Sequence, residues 1–377
     1  MAALPSTPVR MGVIGLGNMG RGHAQQIRDG AIPGVVLGAV CDVDGARLAA
    51  FSGVPGFADR RALVASGLCD AVLIATPHFD HAGAACEALA AGLHVLVEKP
   101  LSVHKADCLR IIAAHAARPR PEQVFAVMLN QRTDPRYQKL RELITSGALG
   151  RIRRVQWTIT DWFRTAAYYA SGGWRATWAG EGGGVLMNQC PHQLDLMWWL
   201  FGMPVRVRAH LQFGATHDIE VEDSATAYLE YADGATGVFI SSTGEAPGTN
   251  RLEVAAERGR IVIEGDHLQW TRNTVEMSAF SRTSPNGFAR PETWHVTIPT
   301  SGRGAQHNGI IGDVVQAISA GAPLLAPGAE GIHGVELGNA MLMSHLWGRT
   351  VDLPLDADAV AVEYARLIAG SRHKPGA

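Results

Sequence analysis

Gly15, Gly17 and Gly20 stand at G-x-G-x-x-G spacing directly after a short apolar run, residues 9–14, and no other stretch constrains the fold as much. The run suits a buried parallel strand, and the residues from Asn18 and Met19 onward suit a helix. Each glycine answers a separate steric demand. Gly15 permits the tight turn, Gly17 lets the backbone approach a pyrophosphate, and Gly20 lets the helix pack closely on the strand; the free N–H groups of the helix face the anion. A second apolar run, 35–41, ends at Asp42, about 20 residues past the last glycine, where a carboxylate can accept hydrogen bonds from an adenosine ribose. Asp44 adds negative charge with no arginine beside it, so a 2′-phosphate is expected to be repelled and the coenzyme is read as NAD rather than NADP.

From residue 9 to about Asn130, strand candidates (9–14, 35–41, 70–75, 93–97, 124–129) alternate with helical stretches (44–52, 59–66, 79–91, 103–116). That alternation predicts an α/β doubly wound parallel sheet. After Arg132 the pattern becomes alternating and β-rich over 152–162, 205–213, 224–231, 235–242, 252–256 and 260–264, with Asp233-Gly234 and Arg258-Gly259 as hairpin turns. Helices follow at 310–320, 331–347 and 357–369. The expected organisation is a dinucleotide-binding Rossmann domain, 1–130, and an α+β substrate domain with an antiparallel sheet, 131–377.

A chain of 377 residues can bury the cores of two domains. A net charge of −2 offers no basic field for nucleic acid or an anionic membrane, so a small molecule is the expected partner. The five cysteines are scattered, with no C-x-x-C, and read as buried thiols of a reducing compartment rather than metal ligands. The N-terminal stretch, 1–11, lacks an apolar leader core, and the most apolar later stretch, 82–97, is broken by Glu87 and His94. A cytoplasmic protein without a membrane span is expected.

Ligands of an open parallel sheet lie beyond the carboxyl ends of its strands, where this chain carries Thr76, Glu98-Lys99 and Asn130. Thr76 sits where a dinucleotide must pass; His78 and His81 either contact the coenzyme or pack the following helix. A lysine directly after the strand HVLV, aimed by Pro100, can exchange a proton with a substrate hydroxyl, its pKa lowered by partial burial. The alternative is a surface Glu98–Lys99 pair. In GGGVLMNQCPHQLD, 182–195, Pro191 suits a first helical position and His192, Asp195 and Trp199 share a face. Either His192 works with Asn188 on a ligand, or it satisfies Asp195 in the core. Asp161, Arg164, Tyr168, Trp174 and Arg175 lie in an aromatic, arginine-bearing stretch that fits a sugar pocket or an aromatic mini-core. His307 opens a helix and is a weaker candidate.

The set GxGxxG, TPxxxH (76–81), HVLVEKP (94–100), GGGxLxxxxxHxxD (182–195) and the tail GRTVDLPLD resembles the glucose-fructose oxidoreductase, inositol dehydrogenase and rhizopine catabolism (Gfo/Idh/MocA) family over nearly the whole chain. The resemblance implies a Rossmann domain with an open-faced sheet domain, a nicotinamide coenzyme and hydride transfer at a ring hydroxyl or carbonyl of a sugar, glycoside or inositol. By position, Lys99 matches the family's catalytic lysine and His192 its catalytic histidine; Asn188 stands where the family often has an aspartate. On this reading Gly15, Gly17, Asn18, Met19, Gly20, Asp42, Thr76, His81, Glu98, Lys99, Asn130, Trp174 and Arg175 face the coenzyme. Lys99, Asp161, Arg164, Tyr168, Asn188, His192 and His307 face the substrate. An open sheet face makes a homo-oligomer, dimer or tetramer, the expectation; a glycosidase working through transient oxidation and a non-catalytic NAD sensor stay open as alternatives.

Overall fold

The computed structural model describes residues 7–372, and the first six residues of the stretch read for a leader lie outside them. The glycine run folds as β1 (Val9–Ile14) turning into α1 (Asn18–Arg28). On one side of β1 lie β2 (Val35–Cys41) and, after α2 (Gly45–Ala49), β3 (Gly56–Phe57), which is followed by α3 (Arg60–Ala65). On the other side come β4 (Ala71–Ile74), α4 (His81–Ala90), β5 (His94–Val97), α5 (Lys105–Ala116) and β6 (Phe125–Val127). The strands are parallel in the order β3-β2-β1-β4-β5-β6, which changes direction between β1 and β4 and opens a crevice beyond their carboxyl ends. Every residue of β4 and β5 is buried, which is why both read as continuous apolar runs rather than alternating ones.

The chain then forms α6 (Pro135–Thr145), β7 (Ile152–Ile159), a short α7 (Ala166–Tyr169) and α8 (Pro191–Phe201), followed by strands β8 (Arg206–Phe213), β9 (Glu222–Glu230), β10 (Thr236–Ser242), β11 (Asn250–Ala256), β12 (Gly259–Glu264) and β13 (His267–Asn273). Next come α9 (Met277–Thr283), β14 (Thr293–Ile298), α10 (Gln306–Ala320), α11 (Gly331–Leu346), β15 (Val351–Asp352) and α12 (Ala357–Ala369). The second sheet has nine strands in the order β14-β13-β12-β11-β7-β10-β9-β8-β15. It is antiparallel except that β7 and β10 run parallel, a pairing that hairpin turns alone do not reveal. α8 and α11 pack against each other, and α11 packs on β8; the buried residues of α8, α11 and the strands form one core. The sheet's other face alternates outward, with Tyr228 44% exposed.

Several sequence expectations are corrected here. β13, β14 and β15 were not expected: β14 and β15 are the two edges, β14 mostly exposed and β15 only two residues long, while β13, between β14 and β12, alternates only over its first four residues. α6 was also missed, although Asp134 caps it through the Arg136 N–H and Pro135 occupies its first turn. The helix expected over 44–52 is only five residues long. α10 does not join the second core: Ile310, Ile311, Val314 and Val315 pack into the Rossmann core, so the chain returns to the first sheet late. Cys86 is half-buried, unlike the other four cysteines, and all five are free thiols. No helix among the described residues is long and apolar enough to cross a membrane.

Candidate active site

The three glycines do what their spacing demands. Gly15 has φ +91°, and a Cβ there would lie 2.6 Å from the Ala75 carbonyl oxygen; a Cβ on Gly20 would lie 1.8 Å from the Gly15 carbonyl oxygen. A Cβ on Gly17 would meet nothing within 4 Å, so this residue fronts open space at the start of α1. No side chain caps α1, and Asn18 and Met19 are exposed, which leaves the helix N-terminus free for an anion. Asp42 is buried at the end of β2, its carboxylate accepting from the Leu16 N–H at 2.7 Å and the Asp44 N–H at 2.9 Å. An arginine does stand beside it, against the sequence reading: Arg47 reaches Asp42 and Asp44 at 3.4 Å each, because α2 turns it back over the acids that precede the helix.

The crevice continues past β4, β5 and β6. Lys99 follows β5, and its Nζ donates to the backbone carbonyl oxygen of Asn188 at 2.8 Å, joining the two halves of the chain. Burial lowers the Lys99 pKa, while Glu98 and Glu181 counter by favouring its charge. Glu98 turns inward: Oε1 meets His23 Nε2 at 2.6 Å and Oε2 accepts from the Lys99 N–H at 3.0 Å. Burial would raise this carboxyl, but the His23 contact holds it down at about 2. His307, at the start of α10, lies with its ring centroid 5.4 Å from that of His23, and its charge would be felt by Glu98 and His192. Asn130 donates from Nδ2 to Gln306 Oε1 at 2.7 Å.

His192 enters from the second half. The chain makes a wide π-type turn over Val185–Gln189, and Pro191 starts α8 with His192 next to it. Burial, with Lys99 adding to it, pushes the His192 imidazole down to about 3, so it stays neutral at ordinary pH. Asp195 does not satisfy it, as one sequence reading had it, because that carboxylate is paired with Arg132. Four buried polar atoms along this crevice have no partner among the described residues: Thr76 Oγ1, Asn130 Oδ1, His192 Nδ1 and Arg164 Nε. Buried polar atoms left unpaired cost about 1–3 kcal/mol each, so their gathering along one crevice fits a site that a polar ligand completes.

The 161–178 stretch rims the site. Arg164 lies over the rings of Trp162 and Tyr168 at 5.4 and 5.1 Å, and Arg175 over Tyr168 and Trp174 at 4.8 and 4.7 Å. The Tyr168 hydroxyl oxygen accepts from Arg175 Nη1 at 3.1 Å and from Asn188 Nδ2 at 3.2 Å. Asp161, beyond the end of β7, is exposed. His81 is corrected: its ring nitrogens face the carbonyl oxygens of Pro100 and Thr76, both at 2.9 Å, so it ties two strand ends together and has no nitrogen left for a coenzyme. His78 likewise bonds the Glu181 carbonyl oxygen through Nδ1 at 3.0 Å.

Sequence reading missed Glu181. This buried carboxylate accepts from the Ala176 N–H at 2.7 Å and from Asn188 Nδ2, with Arg175 Nη1 at 3.9 Å. Burial raises its pKa; the Ala176 N–H, Arg175, Lys99 and Asn188 all favour the charged form. The available signal was an acid directly before three glycines, whose close approaches to Val103, Met187 and Glu222 fold the loop back into the site. Among the described residues no cluster of histidine, cysteine or acidic side chains is arranged to hold a metal ion.

Comparisons with known proteins agree with this geometry. Residues 9–125 match the model of an oxidoreductase family with an NAD-binding Rossmann fold, and residues 137–262 match the GFO/IDH/MocA C-terminal domain. Inositol 2-dehydrogenase from Leifsonia xyli is 33% identical over 206 residues, 54% of this chain and 56% of that protein, so the match spans little more than half of that relative. Inositol 2-dehydrogenase 2 from Paenarthrobacter aurescens is 30% identical over 270 residues, 69% of this chain and 77% of that one. The WlbA dehydrogenase from Chromobacterium violaceum, solved in complex with NADH and UDP-GlcNAcA, superposes with a TM-score of 0.79 at 27% identity, covering 94% of this chain and 99% of that chain.

Proposed function

Because the chain belongs to the Gfo/Idh/MocA family of oxidoreductases, whose coenzyme domain is the NAD-binding Rossmann fold, we propose that it is an NAD-dependent dehydrogenase of a secondary ring hydroxyl on a polyol, sugar or glycoside. The observation that carries the reading is the Lys99 ammonium held on the Asn188 carbonyl, at the ligand edge of the sheet and beside the neutral His192. The glycine turn, the open N-terminus of α1 and Asp42 suit the pyrophosphate and adenosine ribose, and Thr76 and Asn130 carry spare polar atoms further along. Bound in this crevice, NAD supplies a hydride acceptor at nicotinamide C4.

In its neutral amine form Lys99 takes the proton of the reacting hydroxyl as the carbinol hydride leaves and the carbon becomes a carbonyl. In the reverse direction it returns that proton. His192, neutral and with Nδ1 unsatisfied, bonds the same oxygen and steadies the charge that develops there. Arg164, Tyr168 and Arg175 close the substrate side, and Trp174 shields the nicotinamide side. Relatives named as inositol 2-dehydrogenases, and a structural neighbour solved with NADH and UDP-GlcNAcA, fit a pocket of arginines and aromatic rings. We take 1–130 as the coenzyme part, with α10 packed back onto it, and the rest of 131–377 as the substrate part, self-association through the open face of the larger sheet, and a cytoplasmic location.

The test is a panel of inositols, sugars and glycosides with NAD and with NADP, followed by the absorbance of reduced nicotinamide. Net reduction with a cyclic polyol or sugar is the expected result. Glycoside cleavage without net reduction would replace this reading with a glycosidase, and coenzyme binding with neither would replace it with a sensor.

A further inference from the structure

Glu98 directly precedes Lys99, yet both of its carboxylate oxygens are engaged away from the ammonium. An ionised carboxylate only accepts, so His23 Nε2 donates to Oε1, at 2.6 Å, and the backbone N–H of Lys99 donates to Oε2 at 3.0 Å. His23 lies on the inner face of α1 with Gly20, Ala24 and Ile27, and it and Glu98 are both buried. His307 packs against His23 with ring centroids 5.4 Å apart, and Asn308 Nδ2 donates to Gln26 Oε1 at 3.3 Å, so the late return of α10 fastens its start on α1 around this pair. A buried ion pair is weak evidence for stability, because apolar side chains of similar volume often hold a core as well. Its place beside Lys99 suggests a different use. Burial presses the Lys99 ammonium to give up its proton, and of the charges that act on it Glu98 opposes this most. The other titratable or charged groups that face Lys99 are Glu181, Cys190, Arg164, His78, His192 and His307, and among the described residues none of these bonds Glu98.

We propose that His23 is a positioning residue for the proton transfer at Lys99: its hydrogen bond holds the Glu98 carboxylate on the α1 side, away from the ammonium, so that Lys99 can release a proton and serve as a base. Without that bond the carboxylate is left half-satisfied in a buried place, and after His23 the cation that acts on it most is Lys99. A lysine paired with a carboxylate keeps its proton, and its Nζ is drawn off the Asn188 carbonyl oxygen that holds it in the crevice. The residue that decides when Lys99 is a base therefore sits on the helix whose N-terminus faces the coenzyme. This inference rests on the dehydrogenase reading and deepens it.

The test reads Lys99 directly. The chain has four lysines, Lys99, Lys105, Lys139 and Lys374, so in protein isotopically labelled at lysine Cε the Lys99 magnetic resonance signal is identified by its loss in Lys99→Met. Its position against pH gives the midpoint at which the ammonium loses its proton. His23→Leu removes the hydrogen bond and should raise that midpoint by about one pH unit, which lowers kcat/KM for polyol oxidation at neutral pH about tenfold. His23→Gln keeps a donor towards Glu98 and should hold the midpoint close to that of the wild type. Glu98→Gln takes the anion away and should move the midpoint down, and His23→Leu added to it should shift nothing further. A pair that only held the fold together would not move the lysine in opposite directions when its two halves are removed. An unchanged or lowered midpoint in His23→Leu, or one raised as far in His23→Gln, would overturn the proposal. If His23→Leu does not fold, the other two decide: a midpoint that stays or rises in Glu98→Gln, or that rises by a unit in His23→Gln, overturns it as well. Because the signal needs no turnover, a panel in which no polyol or sugar is oxidised sinks the dehydrogenase reading and still leaves the midpoints to decide this one.

Discussion

The Arg132 guanidinium, with no exposed surface, grips both oxygens of Asp195: Nη2 lies 2.6 Å from Oδ1 and Nε 2.9 Å from Oδ2. Arg132 belongs to the turn just after β6 and Asp195 to α8, so this pair pins the helix that carries His192 to the end of the Rossmann sheet. Removing one partner of a buried pair leaves an uncompensated charge, which costs about 3–5 kcal/mol. Glu330 also touches Arg132 and, being a third exposed, offsets only part of that cost. Asp195→Ala should therefore lower stability by about 3 kcal/mol in urea unfolding. A loss below about 1 kcal/mol would mean that the pair contributes little beyond a surface bridge.

In the proposed dehydrogenase Lys99 carries the proton of the substrate, and its Nζ bonds the Asn188 carbonyl oxygen rather than the glycine turn. Lys99→Met should lower kcat by about 10²–10⁴ while NAD affinity, titrated by fluorescence, changes by no more than about threefold. Lys99 accepts a proton only when neutral, and burial lowers its pKa, so wild-type kcat/KM in the oxidative direction should rise with pH through a value below the ordinary lysine range. That rising limb should vanish in the variant. An NAD affinity that collapses with the substitution would move Lys99 from chemistry to coenzyme binding.

The coenzyme half was legible because its signals are local. The turn, the helix start and Asp42 each follow from residues a few positions apart, and wholly buried strands such as β4 are written as unbroken apolar runs. The substrate half was legible only in outline. Edge strands such as β14 carry mostly exposed residues, and the parallel pairing of β7 with β10 depends on contacts far apart in sequence. At the site, Lys99, Asn188 and His192 were named from motifs, whereas the partners that decide their state were not. Arg132 takes Asp195 away from His192 across 63 positions, and Arg47 returns to Asp42 only because α2 curls back. Glu181 was missed because a lone acid before glycines looks like a loop until folding brings it against Asn188.

Gly17 and Gly20 look alike in sequence and should fail differently. A Cβ at Gly17 meets nothing within 4 Å of protein, so Gly17→Ala should leave the thermal midpoint unchanged and weaken NAD binding by filling the space where the pyrophosphate approaches. A Cβ at Gly20 would lie 1.8 Å from a backbone oxygen, so Gly20→Ala must displace α1 from the turn and should cost about 1–3 kcal/mol or more of stability. Thermal melts and NAD titrations on the two variants separate the cases. Equal losses of stability would contradict the open space in front of Gly17.

Asp42 and Arg47 together should set the coenzyme preference. With Asp42 ionised, Arg47 lies 3.4 Å from it and is neutralised, and the carboxylate would oppose a 2′-phosphate. Asp42→Ser removes that charge and frees the Arg47 guanidinium, whose fork suits a phosphate. The ratio of kcat/KM for NAD over NADP should fall at least about tenfold, and adding Arg47→Ala should reverse most of any gain with NADP. If Arg47→Ala in the Asp42→Ser background leaves NADP use unaltered, the arginine has no part in the selection.

Two buried histidines should make the fold sensitive to mild acid. Burial, the largest cause in each case, pushes His78 and His192 down to about 3 from an ordinary value near 6.5. Between those values the unfolded chain binds a proton at each position and the folded chain does not, so stability is fully present above pH 6.5 and is lost as pH falls towards 3. Each histidine contributes a slope of about 1.4 kcal/mol per pH unit within that window. The urea midpoint should therefore drop steeply below neutrality while most exposed carboxylates remain ionised. His78→Gln can still donate to the Glu181 carbonyl oxygen and no longer titrates, so its stability should depend on pH with a slope smaller by about that amount. An unchanged slope in His78→Gln would show that His78 accepts its proton inside the fold, and that the desolvation of this ring is compensated by the carbonyl it faces.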